Sequence, residues 1–168
     1  MHGVVPDIVV LGKPIGNGHP MAAVVTTSEI AESFNNGMEF FSSFGGNPVS
    51  CAIGDAVLSV IEDENLQENA AIVGSYLTHL VNELQADYSC IGDVRGAGLF
   101  LGIDIVSDPI SRAPDEALAR RVVNSLRSKN ILTSLDGPYH NVIKIKPPLC
   151  FDRNNAERLV LELKMILS

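Results

Sequence analysis

The sequence predicts an α/β protein, and two observations support this class. Short apolar segments of strand length alternate with longer segments whose apolar residues recur at helical spacing. In the second half, two strand-rich segments are each followed by a helical segment, an order typical of an α/β layer domain with a mixed or antiparallel sheet. We therefore predict two regions, residues 1–62 and residues 63–168.

The first region is predicted to contain two strands and two helices, with a glycine-rich loop between the strands. The first strand is a continuous apolar run, which is typical of a buried strand. Each helix is preceded by a side chain that can accept a hydrogen bond from a first-turn amide. The predicted strands are residues 8–11 and 22–26. The first predicted helix is capped by Thr27 or Ser28 and runs through Phe34. The second is capped by Asn47, begins at Pro48 and ends near residues 62–65.

The second region is predicted to contain three helices and four strands. Its first helix carries a regular apolar stripe, and its first two strands flank a glycine-rich bend. The predicted elements are a helix at about residues 66–86, two strands within residues 91–106, a helix from Pro114 to about Lys129, strands at residues 131–134 and 142–145, and a last helix that Asp152 or Asn154 caps and that runs to about Leu167.

The composition excludes several classes of partner. Twenty acidic residues against 12 basic ones give a net charge of −8, which argues against a surface for nucleic acid or anionic lipid. No apolar stretch approaches the ~20 residues of a membrane helix, and the first residues do not resemble a signal peptide. The three cysteines are widely spaced, which predicts reduced thiols, no metal site, and a reducing compartment such as the cytoplasm or the mitochondrial matrix.

A lysine follows the first predicted strand and opens the segment Lys-Pro-Ile-Gly-Asn-Gly-His-Pro. Lys13 at the end of a buried strand requires an anionic partner or the loss of its proton. Pro14 is predicted to hold Lys13 in an extended conformation, and Gly16 and Gly18 permit positive φ or the close approach of another group. The pattern suits a reactive amine directed into a pocket. The alternative is a solvated lysine in an ordinary strand-to-turn link.

Two further segments, together with this one, resemble the class III aminotransferases, which use pyridoxal 5′-phosphate. Residues 43–48 read Ser-Phe-Gly-Gly-Asn-Pro, similar to a Thr-Phe-Gly-Gly-Asn-Pro segment of that family, and residues 94–99 read Val-Arg-Gly-Ala-Gly-Leu. Residues 12–20, 44–52 and 144–151 are most similar to the alanine–glyoxylate aminotransferase 2-like branch. That branch includes phospho-lyases that act on ethanolamine phosphate and on 5-phosphohydroxylysine.

The resemblance implies a fold and a set of site residues. It covers the later part of the family's fold type I, namely the end of the large cofactor domain at residues 1–62 and the complete small domain at residues 63–168. Lys13 is implied to form the imine with the cofactor and to act as the general base. Ser43, in place of the family threonine, is implied to reach the cofactor phosphate of a neighbouring subunit, which implies a homodimer. Gly16 and Gly18 are implied to shape the cofactor loop, and Arg95 to hold a substrate carboxylate.

Each of these assignments has an alternative. Arg95 is also suited to a structural ion pair with a nearby acid such as Asp93. Lys144 and Lys146 share one face of a strand and could serve a phosphate group, or be solvated. His19 is interpreted as structural. The resemblance implies a substrate that is a small primary amine or amino acid, with or without a phosphate group. The residues leave open whether the reaction is transamination or phosphate elimination.

A different class of function is also compatible with the residues. The chain could be a non-catalytic α/β module whose exposed apolar surface binds a partner or a further domain. A nucleotide-binding loop is poorly supported, because Gly96-Ala97-Gly98 lacks a third glycine and a following helix.

Overall fold

A computed structural model describes residues 3–168. These residues form two compact units, of which one ends at Glu64 and the other runs from Asn65 to Ser168. The sequence placed the division after residue 62. Assigning the two units to the end of a large domain and to a complete small domain stays a prediction.

The first unit contains two strands, a short 3₁₀ helix and two α-helices. The strands pair antiparallel, with Ile8 opposite Thr26. The caps are those predicted: the Thr27 hydroxyl accepts the Ile30 N–H at 3.4 Å, and the Asn47 side chain accepts the Ser50 N–H at 2.9 Å. The elements are β1 (Ile8–Leu11), the 3₁₀ helix (Lys13–Gly16), β2 (Ala23–Thr26), α1 (Ser28–Phe34) and α2 (Pro48–Asp63).

The first strand is present as predicted, but its predicted burial is wrong. Ile8 is 52% exposed and Val10 is 74% exposed. In this unit, Gly16 is the one buried residue among those that the structure describes. A two-stranded sheet buries little surface by itself. Within the described part of this unit, the other elements do not cover both faces of the sheet.

The second unit is a four-stranded antiparallel sheet with three helices, which decides between the two sheet types that the sequence allowed. The strand order is β3-β4-β6-β5. Alternate residues of β4 and β6 point into one core with the apolar faces of the helices. The elements are α3 (Leu66–Asp87), β3 (Ile91–Ala97), β4 (Phe100–Ile105), α4 (Glu116–Ser128), β5 (Ser134–Asp136), β6 (Val142–Ile145) and α5 (Arg153–Leu167).

Two predicted boundaries in the second unit are wrong. Pro114 lies outside α4, in an isolated bridge with Val106, and Asp115 caps the helix by accepting the Leu118 N–H at 2.8 Å. Strand β5 covers Ser134–Asp136, with Ser134 opposite Lys144, so the predicted strand at residues 131–134 overlaps it at one residue only. The prolines at 147 and 148 have no N–H to extend that ladder.

The glycine-rich bend between β3 and β4 lies directly against α3. A Cβ atom added at Gly74 of α3 would be 2.1 Å from the carbonyl oxygen of Gly98. Gly98 itself has a φ of +55°, in the left-handed region that favours glycine. The bend therefore depends on glycine at both positions, one for close approach and one for backbone conformation.

Candidate functional site

Lys13 lies at the second position of a tight turn, directly after β1. The Ile15 N–H donates to the Gly12 carbonyl at 3.4 Å, and Lys13 has a φ of +48°. The predicted extended conformation of Lys13 is therefore wrong. Because the ring of Pro14 fixes its own φ near −65°, Lys13 is the inner residue of the turn that can adopt positive φ. Such values are uncommon outside glycine and often mark functional sites.

The Lys13 side chain is exposed and free of ion pairs with the described residues. A lysine beside a buried strand would require an anionic partner or the loss of its proton. With β1 exposed, that requirement does not arise from residues 3–168. The amine is consequently available to a ligand.

The loop that follows Lys13 is a run of hydrogen-bonded turns. The Asn17 N–H donates to the Pro14 carbonyl at 2.8 Å, and the His19 N–H donates to the Gly16 carbonyl at 3.0 Å. Gly18 has a φ of +105°, which glycine adopts without strain. Gly16 is buried. A Cβ atom added at Gly16 would lie 3.4 Å from the Cβ of His19, so this part of the loop is closely packed. The predicted cofactor contacts of both glycines stay predictions.

We call residues 12–20 the lysine loop. The side chains of His19 and of the adjoining Met21 anchor this loop on one face of α2. His19 Nε2 lies 2.7 Å from the Ser50 hydroxyl. The Met21 sulfur lies 3.0 Å from where a Cβ of Gly54 would be. Ser50 and Gly54 are one helical turn apart and share a face of α2. The interpretation of His19 as structural agrees with this contact.

The second predicted cofactor segment, residues 43–48, which we call the serine segment, leads into the same end of α2. Ser43 is exposed at its start. The Ser42 hydroxyl accepts the Gly45 N–H at 3.0 Å, and Asn47 Nδ2 donates both to the Phe44 carbonyl at 2.8 Å and to the Ser50 hydroxyl at 2.9 Å. Ser50 therefore contacts both predicted cofactor segments. Sequence reasoning missed it, because no spacing rule links His19 to a residue 31 positions away.

Arg95 lies on β3 in the second unit, where it is paired with acids. Its guanidinium donates to the Asp93 carboxylate at 2.8 Å and lies 3.8 Å from that of Asp104. The alternative that the sequence offered, an ion pair with Asp93, is thus present in the structure. The strand residue opposite Arg95 is Gly102, which leaves the sheet surface beside the guanidinium without a side chain.

Lys144 and Lys146 differ in their surroundings. Lys144 donates to the Asp136 carboxylate at 2.6 Å. Lys146 is exposed at the end of β6 and borders a cleft of about 280 Å³ together with Arg158. The Lys144 ammonium, followed by the Gly137 N–H, holds the pKa of Asp136 below its usual value.

This lowered pKa predicts a dependence of stability on acid. Because the folded pKa of Asp136 lies below the unfolded value of about 3.9, its contribution is present above that pH and is lost as the pH falls through the folded pKa. We expect Lys144→Met to weaken the acid dependence of the free energy of unfolding below about pH 4, measured by urea denaturation at a series of pH values. Lys146→Met is the matched control, and an equal effect of both variants would contradict this assignment.

The fold of the described residues matches part of the pyridoxal-phosphate fold type I. The class III aminotransferase profile matches residues 1–167. A Drosophila melanogaster protein named alanine–glyoxylate aminotransferase 2-like is 52% identical over 98% of this chain and 34% of its own length. The chain belongs to the class III aminotransferase family, and it spans about a third of that relative.

Solved structures agree with this assignment. A phospholyase from Arthrobacter, in complex with phosphoethanolamine, superposes with a TM-score of 0.94 at 42% identity, over 98% of this chain and 39% of that one. An amine transaminase from an uncultivated Pseudomonas species, in its pyridoxal-phosphate-bound form, has a TM-score of 0.86 at 33% identity, over 98% of this chain and 39% of that one. The family therefore contains both reaction types, and its cofactor is pyridoxal phosphate.

Two further features of the described residues concern membrane-spanning helices and cysteine thiols. No helix within residues 3–168 has the length and apolarity needed to cross a membrane. Cys51, Cys90 and Cys150 are all free thiols.

Proposed function

We propose that this chain carries the cofactor lysine of a pyridoxal-phosphate-dependent enzyme that acts on a primary amine. The observation that carries the proposal is Lys13: an exposed amine without an ion pair to the described residues, at positive φ, on a loop that is anchored to α2. The family assignment supports it, because residues 12–20 align within the matched region.

The residues present fit the cofactor. Lys13 Nζ would attach it covalently, and the loop with Gly16 and Gly18 would border it. The Ser43 hydroxyl would donate to the phosphate of the cofactor that the neighbouring subunit holds. The exposed amine of Lys13 suits the aldehyde of such a cofactor, and the exposed hydroxyl of Ser43 suits a phosphate. When bound, pyridoxal phosphate supplies the electron-withdrawing ring that stabilises negative charge on the carbon next to the substrate nitrogen.

The remaining work falls to side chains. The Lys13 amine would remove a proton from the carbon that bears the substrate nitrogen. Arg95 lies in the second unit and is proposed to orient the substrate. Its pairing with Asp93 at 2.8 Å means that a substrate carboxylate would have to compete with a carboxylate already in place.

This pairing favours a substrate that lacks a carboxylate. We therefore propose elimination of phosphate from a phosphorylated primary amine, with ethanolamine phosphate, which has no carboxylate, as the first candidate. The alternative 5-phosphohydroxylysine carries a carboxylate that would compete with Asp93, and it is the second candidate for that reason. The likeness to the Arthrobacter phospholyase supports the same choice. Transamination is the second candidate reaction, and it is favoured by the 52% identity to the fly aminotransferase-like protein.

Product analysis tests the reaction type. The chain is incubated with pyridoxal phosphate and ethanolamine phosphate, and released phosphate is measured with and without a keto acid. We expect phosphate release that does not depend on the keto acid. A strict requirement for the keto acid would instead establish transamination and overturn the lyase proposal.

No product under either condition would favour the alternative, a non-catalytic α/β module. That alternative also has an observation behind it: Phe40, Phe41 and Phe44 are 73%, 80% and 84% exposed in the first unit. Size-exclusion chromatography bears on it, because a clean monomer would count against an association surface. We propose a homodimer in the cytoplasm or mitochondria, and the three free cysteines suit the reducing environment of both.

A further inference from the structure

The lysine loop and the serine segment meet at one hydroxyl group. Ser50 Oγ lies 2.7 Å from His19 Nε2 and 2.9 Å from Asn47 Nδ2. A serine hydroxyl donates one hydrogen and accepts at two lone pairs. It can therefore serve both partners whichever ring nitrogen of His19 carries the proton.

The two ends of this contact are fixed by the backbone. On one side, the His19 N–H is bonded to the Gly16 carbonyl, and Gly16 packs against the His19 Cβ. On the other side, Ser50 is held in the first turn of α2, because its N–H donates to the Asn47 side chain at 2.9 Å. The His19 ring thus joins a rigid helix end to the run of turns that begins at Lys13.

Two non-glycine residues of the loop have positive φ, Lys13 at +48° and Asn17 at +46°. Asparagine tolerates this region better than lysine, so the strain is greater at Lys13. Positive φ in a non-glycine residue costs of order 1–3 kcal/mol and persists when the surrounding structure holds it. The turn hydrogen bond next to it is long, 3.4 Å between the Ile15 nitrogen and the Gly12 oxygen. Restraint from the far end of the loop is therefore needed to keep this conformation.

We propose that His19 is a positioning residue, which through its hydrogen bond to Ser50 holds the lysine loop in the conformation that presents Lys13 to the cofactor. This inference rests on the proposed attachment of the cofactor at Lys13 and adds the groups that keep that amine in place. His19 does not touch the reacting atoms. Its effect passes through the backbone of residues 13–19.

Four single variants separate the hydrogen bond from the bulk of the ring. His19→Ala and Ser50→Ala each remove the bond. His19→Gln keeps it, because the glutamine amide extends about as far as Nε2, whereas the shorter amide of His19→Asn does not reach Ser50. His79→Gln is the control, since His79 is an exposed histidine on α3 in the second unit. Thermal unfolding verifies that each variant folds.

Two measurements are made on every variant. The first is hydrogen exchange of the peptide covering residues 12–20 without cofactor. The second is the concentration of pyridoxal phosphate that gives half-maximal borohydride-trapped label on Lys13. We expect His19→Ala, His19→Asn and Ser50→Ala to speed exchange and to raise that concentration by about tenfold, the factor that one lost hydrogen bond gives. His19→Gln and His79→Gln are expected to match the wild type.

The double variant His19→Ala/Ser50→Ala is expected to show no larger effect than either single variant, since both remove one interaction. Wild-type values in Ser50→Ala, or faster exchange without weaker labelling, would overturn the proposal. An absence of Lys13 label in all chains, wild type included, would count against the proposed cofactor attachment alone. The exchange rates would then still decide whether His19 and Ser50 hold the loop.

Discussion

Lys13→Ala is expected to abolish the borohydride-trapped pyridoxal label at the lysine loop. The wild-type chain should show a saturable absorbance band on titration with pyridoxal phosphate, and peptide mapping after reduction should locate the label on residue 13. The reason is chemical: the cofactor aldehyde needs a primary amine, and Lys13 is the exposed amine that the anchored loop presents. Alanine removes the amine and leaves Pro14 and both glycines in place.

Lys146→Ala is the matched control, because Lys146 is also exposed but lies at the end of a strand in the second unit. It should leave the absorbance band and the label unchanged. Label distributed evenly over the surface lysines of the wild type would contradict a dedicated cofactor lysine. It would also remove the main support for an enzyme function of this chain.

Gly74→Ala is expected to lower the free energy of unfolding of the second unit by about 3 kcal/mol, at the upper end of the usual cost of overpacking. The added Cβ would lie 2.1 Å from the Gly98 carbonyl oxygen and 2.2 Å from its carbonyl carbon. Both are backbone atoms, so α3 and the β3–β4 bend must move apart. Alanine favours a helix by about 1 kcal/mol over glycine, which offsets only part of this cost.

Urea denaturation followed by circular dichroism measures this loss. Ser75→Ala is the control, because Ser75 is the next residue of the same helix and is exposed. Its stability should equal or slightly exceed that of the wild type. If Gly74→Ala unfolds at the wild-type urea concentration, the contact between α3 and the bend is not as close as described.

Local signals in the sequence predicted most elements of the fold. The cap Asn47 was predicted from residue type and position, because an N-cap depends on amides within its own helix. Thr27 and Asp152 were each one of two predicted candidates, and the structure selects them over Ser28 and Asn154. Strand β6 and the long helix α3 were likewise visible as periodic apolar patterns. The errors lie where strand pairing determines the boundary: the predicted strand at residues 131–134 overlaps β5 only at Ser134, which pairs with Lys144 of β6.

The candidate site divides in the same way. The sequence by itself determined that Lys13 opens a glycine loop after a strand. The resemblance of the sequence to the class III family predicted that Lys13 forms an imine with pyridoxal phosphate. The positive φ of Lys13, the proximity of Asp104 on β4 to Arg95 and the meeting of two segments at Ser50 were decided by tertiary structure. Contacts between residues far apart in the chain depend on how the helices and strands pack. A local sequence pattern does not predict that packing.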